Sequence, residues 1–244
     1  MYAQDNGDLL PPNDYPFNSA EPQDGSLKCW VFGSMAINVD KFFPAELVNL
    51  KLSSLAGYNT NPAVYKCPAD TLKQQGHDHA RSVSMNCAVG TRWWTAGLGT
   101  GAPAPSSQHP PGSPVGGGWL SAPTYADPDP NYRTYGKISQ MTRPGPSSTW
   151  VIMDENPYTI NDPLMAIAMT PVIIDWPASY HGGSAGIAFA DGHAELHKWV
   201  DALSAPIPPG VDPNSPNQFT VSPTPVTGPS RDLDWIQPYT TALQ

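Results

Sequence analysis

Residues 180–199, YHGGSAGIAFADGHAELHKW, carry the strongest local fold signal in the chain. Two runs suited to strands flank Asp191-Gly192. A two-residue Asp-Gly link between such runs predicts a β-hairpin with a type I′ turn, which needs φ > 0 at both central residues. In that register Ala190 faces His193, Phe189 faces Ala194 and Ile187 faces Leu196. Side chains on a strand alternate between faces. Ile187, Phe189, Ala194 and Leu196 are therefore expected on one face, the core face. Ala188, Ala190, His193, Glu195 and His197 are expected on the other. Gly182 and Gly183 make His181 the anchor of a flexible approach to the hairpin.

Composition bounds what surrounds this hairpin. The 244 residues include 30 prolines and 21 glycines, and only 14% are charged. That is too much Pro and Gly for a helical bundle or a doubly wound sheet. It suits a single domain in which a short sheet is carried among long loops. Eight tryptophans and ten tyrosines supply large buried areas that offset the ordering entropy of such loops. The formal net charge of −9, with no basic cluster, argues against nucleic acid or an anionic membrane surface as partner. The three cysteines, Cys29, Cys67 and Cys87, lie far from CxxC spacing, which argues against a zinc cage; one disulfide plus a free thiol, or no disulfide, is compatible with the count. No run approaches membrane-spanning length and no signal peptide is visible. The opening MYAQDNG reads as the last turn of a helix running into a glycine stop, so a helix is expected upstream.

Along the chain, residues 8–28 read as a loop and Lys28–Met35 as a short strand or packed segment. Pro44–Ala56 is the best helix: Pro44 suits its first position, Glu46 its first turn and Gly57 its stop, with Leu47, Val48, Leu50 and Leu55 as the buried stripe. Asn61–Asp70 reads as extended until a turn at Pro68. Arg81–Val89 reads as a strand, with a polar QQGHDH loop before it. Residues 95–131 form a Pro/Gly-rich insertion. Thr149–Glu155 is apolar on both faces, Trp150 and Ile152 on one and Val151 and Met153 on the other, which marks an inner strand. Asp154 and Glu155 then point to opposite faces, unless the strand has already ended. Met165–Ile174 is a poorly defined strand or loop. Residues 200–244 form an extended tail, brought back to the body by Trp235 and Ile236. The result is an α+β protein with one antiparallel sheet of four or five strands, few helices and long loops.

Several groups of residues bear on chemistry. Asp154, Glu155, His181 and Asp191 could converge where the inner strand meets the hairpin, as a divalent-metal set or an acid–base pair. The plainer reading is stronger: the turn itself uses Asp191, and His181 fixes a loop. His77-Asp78-His79 has the spacing of two strand-borne ligands but reads as a solvated loop. His193, Glu195 and His197 share a strand face, which is common on exposed strands. No GxSxG elbow exists, and Gly97-Leu98-Gly99-Thr100-Gly101 lacks the GxGxxG pattern of a dinucleotide fold.

Taken together, these blocks resemble a family of prepilin-type proteins marked by an H-X9-DG signature and similar to the type II secretion major pseudopilin. The signature is His181, nine residues, then Asp191-Gly192. YAQDNGDLLPP resembles the segment after the family's N-terminal helix. VYKCPAD, with Cys67-Pro68, and RSVSMN resemble its central blocks. KISQMTRPGPSSTWVIMDENPYTIND resembles its strand ending in Asp-Glu, and RDLDWIQ its closing segment. The likeness runs over nearly the whole chain, least in 95–131. The family's basic leader, peptidase site, N-methylated residue and long apolar helix are not in this sequence.

The resemblance implies a pilin-like fold and a non-enzymatic structural subunit of a pseudopilus or related filament, outside the cytoplasm. It implies other pseudopilin subunits and secretion machinery as partners, and membrane contact only through the N-terminal helix of the parent. It also implies that such a helix covers Ile187, Phe189, Ala194 and Leu196, which would otherwise stay bare. A Cys29–Cys67 or Cys29–Cys87 bridge is compatible with that location. Calcium is the cofactor the resemblance suggests, with Asp154, Asn161, Asp162 and Asp191 as candidate oxygens. A calcium- or glycan-binding surface module is therefore one alternative. A metal-dependent hydrolase, with Asp154, His181 and Asp191 on the ion and Glu155 as base, is another.

Overall fold

The computed structural model describes residues 1–13, 29–32, 35, 47–74, 77–92, 112–211 and 223–244. Among these, the chain is α+β, with two helices and a mostly antiparallel five-stranded sheet. A one-turn helix α1 spans Tyr2–Asp5, and Gly7 beyond it takes φ 65°. Short strands β1 (Lys73–Gln74) and β2 (His77–Asp78) pair as a small hairpin where a plain loop is expected. The main sheet is built from β3 (Val83–Asn86), β4 (Trp150–Asp154), β5 (Leu164–Met165), β7 (Ser184–Phe189) and β8 (Ala194–Lys198), in the order β5-β3-β4-β7-β8. Only β3 and β5 are parallel. Outside it, β6 (Val172–Ile173) pairs with β9 (Thr224–Pro225), and helix α2 (Arg231–Thr240) closes the chain.

The inner position expected for Thr149–Glu155 holds, with β3 on one side of β4 and β7 on the other. Its alternation does not. Trp150 pairs with Phe189, but Ile152 pairs with Ala188 and Met153 with Ile187, so Val151 is an extra residue in the ladder. Such a bulge re-phases the side chains that follow it. Trp150 and Met153 consequently share a core with Ile187, Phe189, Leu233 and Ile236. Val151 and Ile152 instead join Trp30, Met35, Leu47, Met85 and Val89 on the opposite face. Two cores thus sit on the two faces of one strand.

The hairpin forms, but one residue out of the expected register. Ala188 pairs with Ala194, Ile187 with Glu195 and Gly186 with Leu196. Gly192 N–H closes onto Phe189 O, and Phe189 N–H onto His193 O, which leaves a three-residue loop over 190–192. Gly192 has φ 96°, whereas Asp191 stays at negative φ. The physical reason is that a three-residue loop needs only one left-handed residue, and glycine occupies that conformation without strain. A one-residue slip moves every side chain of a strand to the other face. On β7, Ile187 and Phe189 are buried as expected. On β8, Leu196 is instead 64% exposed, and His193 and His197 lie on the core side. The expected bare apolar face is not found either: α2 covers Ile187 and Phe189, with Tyr239 against the Phe189 ring.

The tail is an anchor, as expected, but a helical one. Ser230 caps α2 by accepting Leu233 N–H. Asp201 accepts the N–H groups of Arg231 and Asp232 and the Ser230 hydroxyl. In return, the fully buried Asp232 accepts the N–H groups of Val200, Asp201 and Leu203. Trp150 Nε1–H reaches Thr240 Oγ1 at 2.9 Å, tying the far end of α2 to β4.

Elsewhere local expectation yields to packing. Residues 48–57 are successive turns rather than helix, and Leu50 is 66% exposed; Pro44 and Glu46 lie outside the described residues. Pro62–Tyr65 is a 3-10 helix, capped by Asn61, before the expected turn at Pro68. Cys29–Phe32 is a packed segment rather than a strand, with Trp30 and Val31 fully buried. Of the insertion, residues 95–111, and with them Gly97, Gly99 and Gly101, lie outside the described residues. No bridge joins the cysteines, all three of which are free.

Two outcomes follow from this packing. Asp232→Ala leaves three amide donors without their acceptor and is expected to destabilise the protein by about 3 kcal/mol or more in urea unfolding; a loss below about 1 kcal/mol contradicts the assigned role. Thiol titration in denaturant without reductant is expected to find all three cysteines reactive; a count of one contradicts the free-thiol arrangement.

Candidate functional site

Three segments meet at one corner of the sheet. Cys67 follows the 3-10 helix, at the start of the turn in which Asp70 N–H donates to Cys67 O. Asp154 is the last residue of β4. His181 lies in the turn before β7, where Gly183 N–H donates to Ser179 O and Gly182 and Gly183 take φ 66° and 90°. Those two left-handed residues let the chain double back and set the imidazole over the end of β4. His181 Nε2 lies 3.4 Å from Asp154 Oδ2 and 3.6 Å from Cys67 Sγ. The three donor atoms all lie within 4.8 Å of one another.

Two of the three ligand-type atoms, on Asp154 and Cys67, are held by backbone N–H groups. Gly186 N–H donates to Asp154 Oδ2 at 2.8 Å. A Cβ on Gly186 would stand 2.9 Å from that same oxygen, so glycine is what lets the carboxylate lie against β7. Ala69 N–H points at Cys67 Sγ at 3.4 Å, and Cys67 N–H donates to Ser82 Oγ. Burial raises the Asp154 carboxyl above its ordinary range, and the Gly186 N–H and His181 oppose that rise. Asp154 is buried, Cys67 half-buried and His181 exposed, so the corner opens to solvent on the imidazole side.

The other sequence candidates are not gathered here. Glu155 is fully buried on a different set of neighbours: Thr159 Oγ1 lies 3.2 Å from Oε1, and Oε2 has no hydrogen-bond partner. Asp191 accepts His193 N–H and pairs with His193 Nδ1 at the hairpin tip. Pro68 shapes the Cys67 turn, and Gly192 the hairpin loop. Of the suggested calcium oxygens, Asp162 Oδ1 accepts Leu164 N–H and Asn161 Oδ1 accepts Asp162 N–H, each within its own loop. Asp154, Asp162 and Asp191 form no common cluster among the described residues. His79 is not solvated but buried, with Nδ1 2.9 Å from Asp70 Oδ2. His193 stacks on Phe189 at 4.3 Å within the hairpin, and His197 stacks on Trp235 at 3.5 Å across the hairpin–helix contact.

Cys67 is the residue that spacing cannot join to this site. It lies 114 positions from His181, and its signal in the sequence is only a Cys-Pro turn. The chemistry of the corner is also constrained. In a nucleophilic triad, the thiol and the orienting carboxylate address opposite ring nitrogens. Here both address Nε2, and among the described residues none bonds Nδ1. The arrangement can gather a cation or hold a loop. No family model, curated protein or solved structure matches the chain. Among the described residues, no helix is long and apolar enough to cross a membrane.

A second buried group sets the pH response. Arg81 is fully buried and donates to Val83 O, Ser84 Oγ and Asp162 O. Burial raises the Glu155 carboxyl well above its usual range, further lifted by Asp175 and opposed by Arg81. Burial lifts Asp162 to about 6 against the Leu164 N–H and Arg81. Both folded values exceed the unfolded ones, so the folded state holds the protons longer. This contribution is present below about pH 4 and is lost as pH rises through the folded values. Urea unfolding is expected to show lower stability at pH 8 than near pH 5, and Glu155→Gln to narrow the gap; equal stability at both pH values contradicts the assignment.

Proposed function

We propose that this chain is the globular part of a pseudopilin-like protein with a pilin-like fold. Its role is structural and non-enzymatic, as a subunit of a type II secretion-like pseudopilus or related filament. One observation carries the reading. Three of the blocks on which the resemblance rests, Cys67-Pro68, the strand end at Asp154 and the His181 that opens H-X9-DG, meet in space within 4.8 Å. Blocks separated along the chain but joined in the fold behave as one structural unit, as expected of a shared scaffold.

Two further features support it. The geometry at His181 addresses one nitrogen from both sides and supplies no triad. Glu155, the base a hydrolase would need, is buried on other neighbours. In this reading the partners are other pseudopilin subunits and secretion machinery. The globular part stands outside the cytoplasm, and an apolar N-terminal helix of the parent reaches the membrane.

The reading is tested on the parent protein in its own cells. Mass spectrometry is expected to find a cleaved basic leader and an N-methylated first residue, followed by an apolar helix with Glu at its fifth position. An unprocessed N-terminus in cells that contain prepilin peptidase, or an unrelated upstream domain, overturns it.

A further inference from the structure

We propose that Cys67, Asp154 and His181 form a binding site for zinc or a similar thiophilic divalent cation. This goes beyond the filament reading and does not rest on it. The first argument is geometric. With zinc bonds of about 2.0–2.3 Å, the edges between ligand atoms of a tetrahedral site are about 3.3–3.6 Å. The observed Nε2–Oδ2 and Nε2–Sγ separations are 3.4 and 3.6 Å. The Sγ–carboxylate edge, at most 4.8 Å, closes by rotation of the half-buried Cys67 side chain.

The second argument is chemical. An imidazole nitrogen has one in-plane lone pair or one proton, so Nε2 satisfies one of its two neighbours at a time. A cation between the three atoms satisfies all of them together. One sulfur, one nitrogen and one oxygen suit zinc, whereas calcium and magnesium call for oxygen alone.

The third argument lies in the surrounding backbone. The Ala69 N–H is directed at Cys67 Sγ, and the Gly186 N–H fixes the Asp154 oxygen that faces His181. Outer hydrogen bonds of this kind orient ligands before the ion arrives. Gly186 is also the position at which a Cβ would displace the carboxylate. The exposed His181 side gives an ion an entry path and lets water complete its coordination. Cys29 and Cys87 are not competing ligands: both are buried, which pushes their thiols up to about 12. Such an ion would tie the Cys67 loop, the end of β4 and the entrance to the hairpin into one unit, adding to stability in proportion to its occupancy.

The test uses the reduced chain with cobalt(II) as a spectroscopic probe and zinc as competitor. One cobalt per chain is expected, with a thiolate-to-cobalt charge-transfer band and intense visible bands of a four-coordinate ion, both removed by equimolar zinc. Cys67→Ser should abolish the charge-transfer band. His181→Gln and Asp154→Asn should weaken zinc binding more than about 100-fold. His193→Gln should leave it unchanged, and circular dichroism checks the fold of each variant. The wild-type spectrum needs no variant: absence of the thiolate band overturns the proposal. Zinc binding that survives both Cys67→Ser and His181→Gln also overturns it. Neither result touches the filament reading, which stands or falls on the N-terminus of the parent.

Discussion

The extra residue at Val151 sets which side chains of the central strand reach each of its two cores. An inner strand with strict alternation sends Trp150 and Ile152 to one core and Val151 and Met153 to the other. The bulge breaks that rule in the β4–β7 ladder. Trp150 and Met153, both fully buried, then face α2 together, and the adjacent Val151 and Ile152 face the loops that carry Trp30 and Met35. Burying a large apolar side chain contributes about 2–3 kcal/mol, so placing two of them on the helix side is what gives α2 a surface to dock on. The reciprocal caps between Asp201 and Asp232 then lock that helix to the chain leaving β8.

The same re-phasing places the candidate site. Past the bulge, Met153 looks toward α2 and Asp154 looks the other way, across to Gly186 and His181. Glu155 then turns into the buried surroundings of Arg81 and Thr159. Two neighbouring carboxylates thus serve separate ends: one at a corner open to solvent, the other sealed in the interior with a raised pKa. The corner needs β7 as well. Only a residue without a side chain at Gly186 can offer its N–H to Asp154 at that distance.

A cation at Cys67, Asp154 and His181 would hold this loop-rich body at one more point. The prolines and glycines that make the loops long leave their ends to be fixed by side chains: Asn61, Asp162, Asp201 and Asp232 each do so through backbone N–H groups.

The α+β class, the hairpin at Asp191-Gly192 and the inner position of Thr149–Glu155 were legible in the residues alone. These are local properties: alternation, turn chemistry and two-sided apolarity are written in neighbouring residues. The sequence also put Asp154 and His181 into one candidate set, and singled out Cys67 without joining it to them. Only the tertiary structure decided the bulge at Val151, the one-residue shift that exposes Leu196, the turns over 48–57 and the helix at Arg231–Thr240. The bulge and the helix depend on contacts distant in the chain, Phe189 against Trp150, Trp235 against His197 and Asp201 against Ser230, whereas the shift follows from the three-residue loop that Gly192 allows. The union of Cys67 with His181 belongs to the same class. Periodicity reaches across one strand or one turn, and the packing of two cores around β4 is what brings residues 114 positions apart to within 3.6 Å.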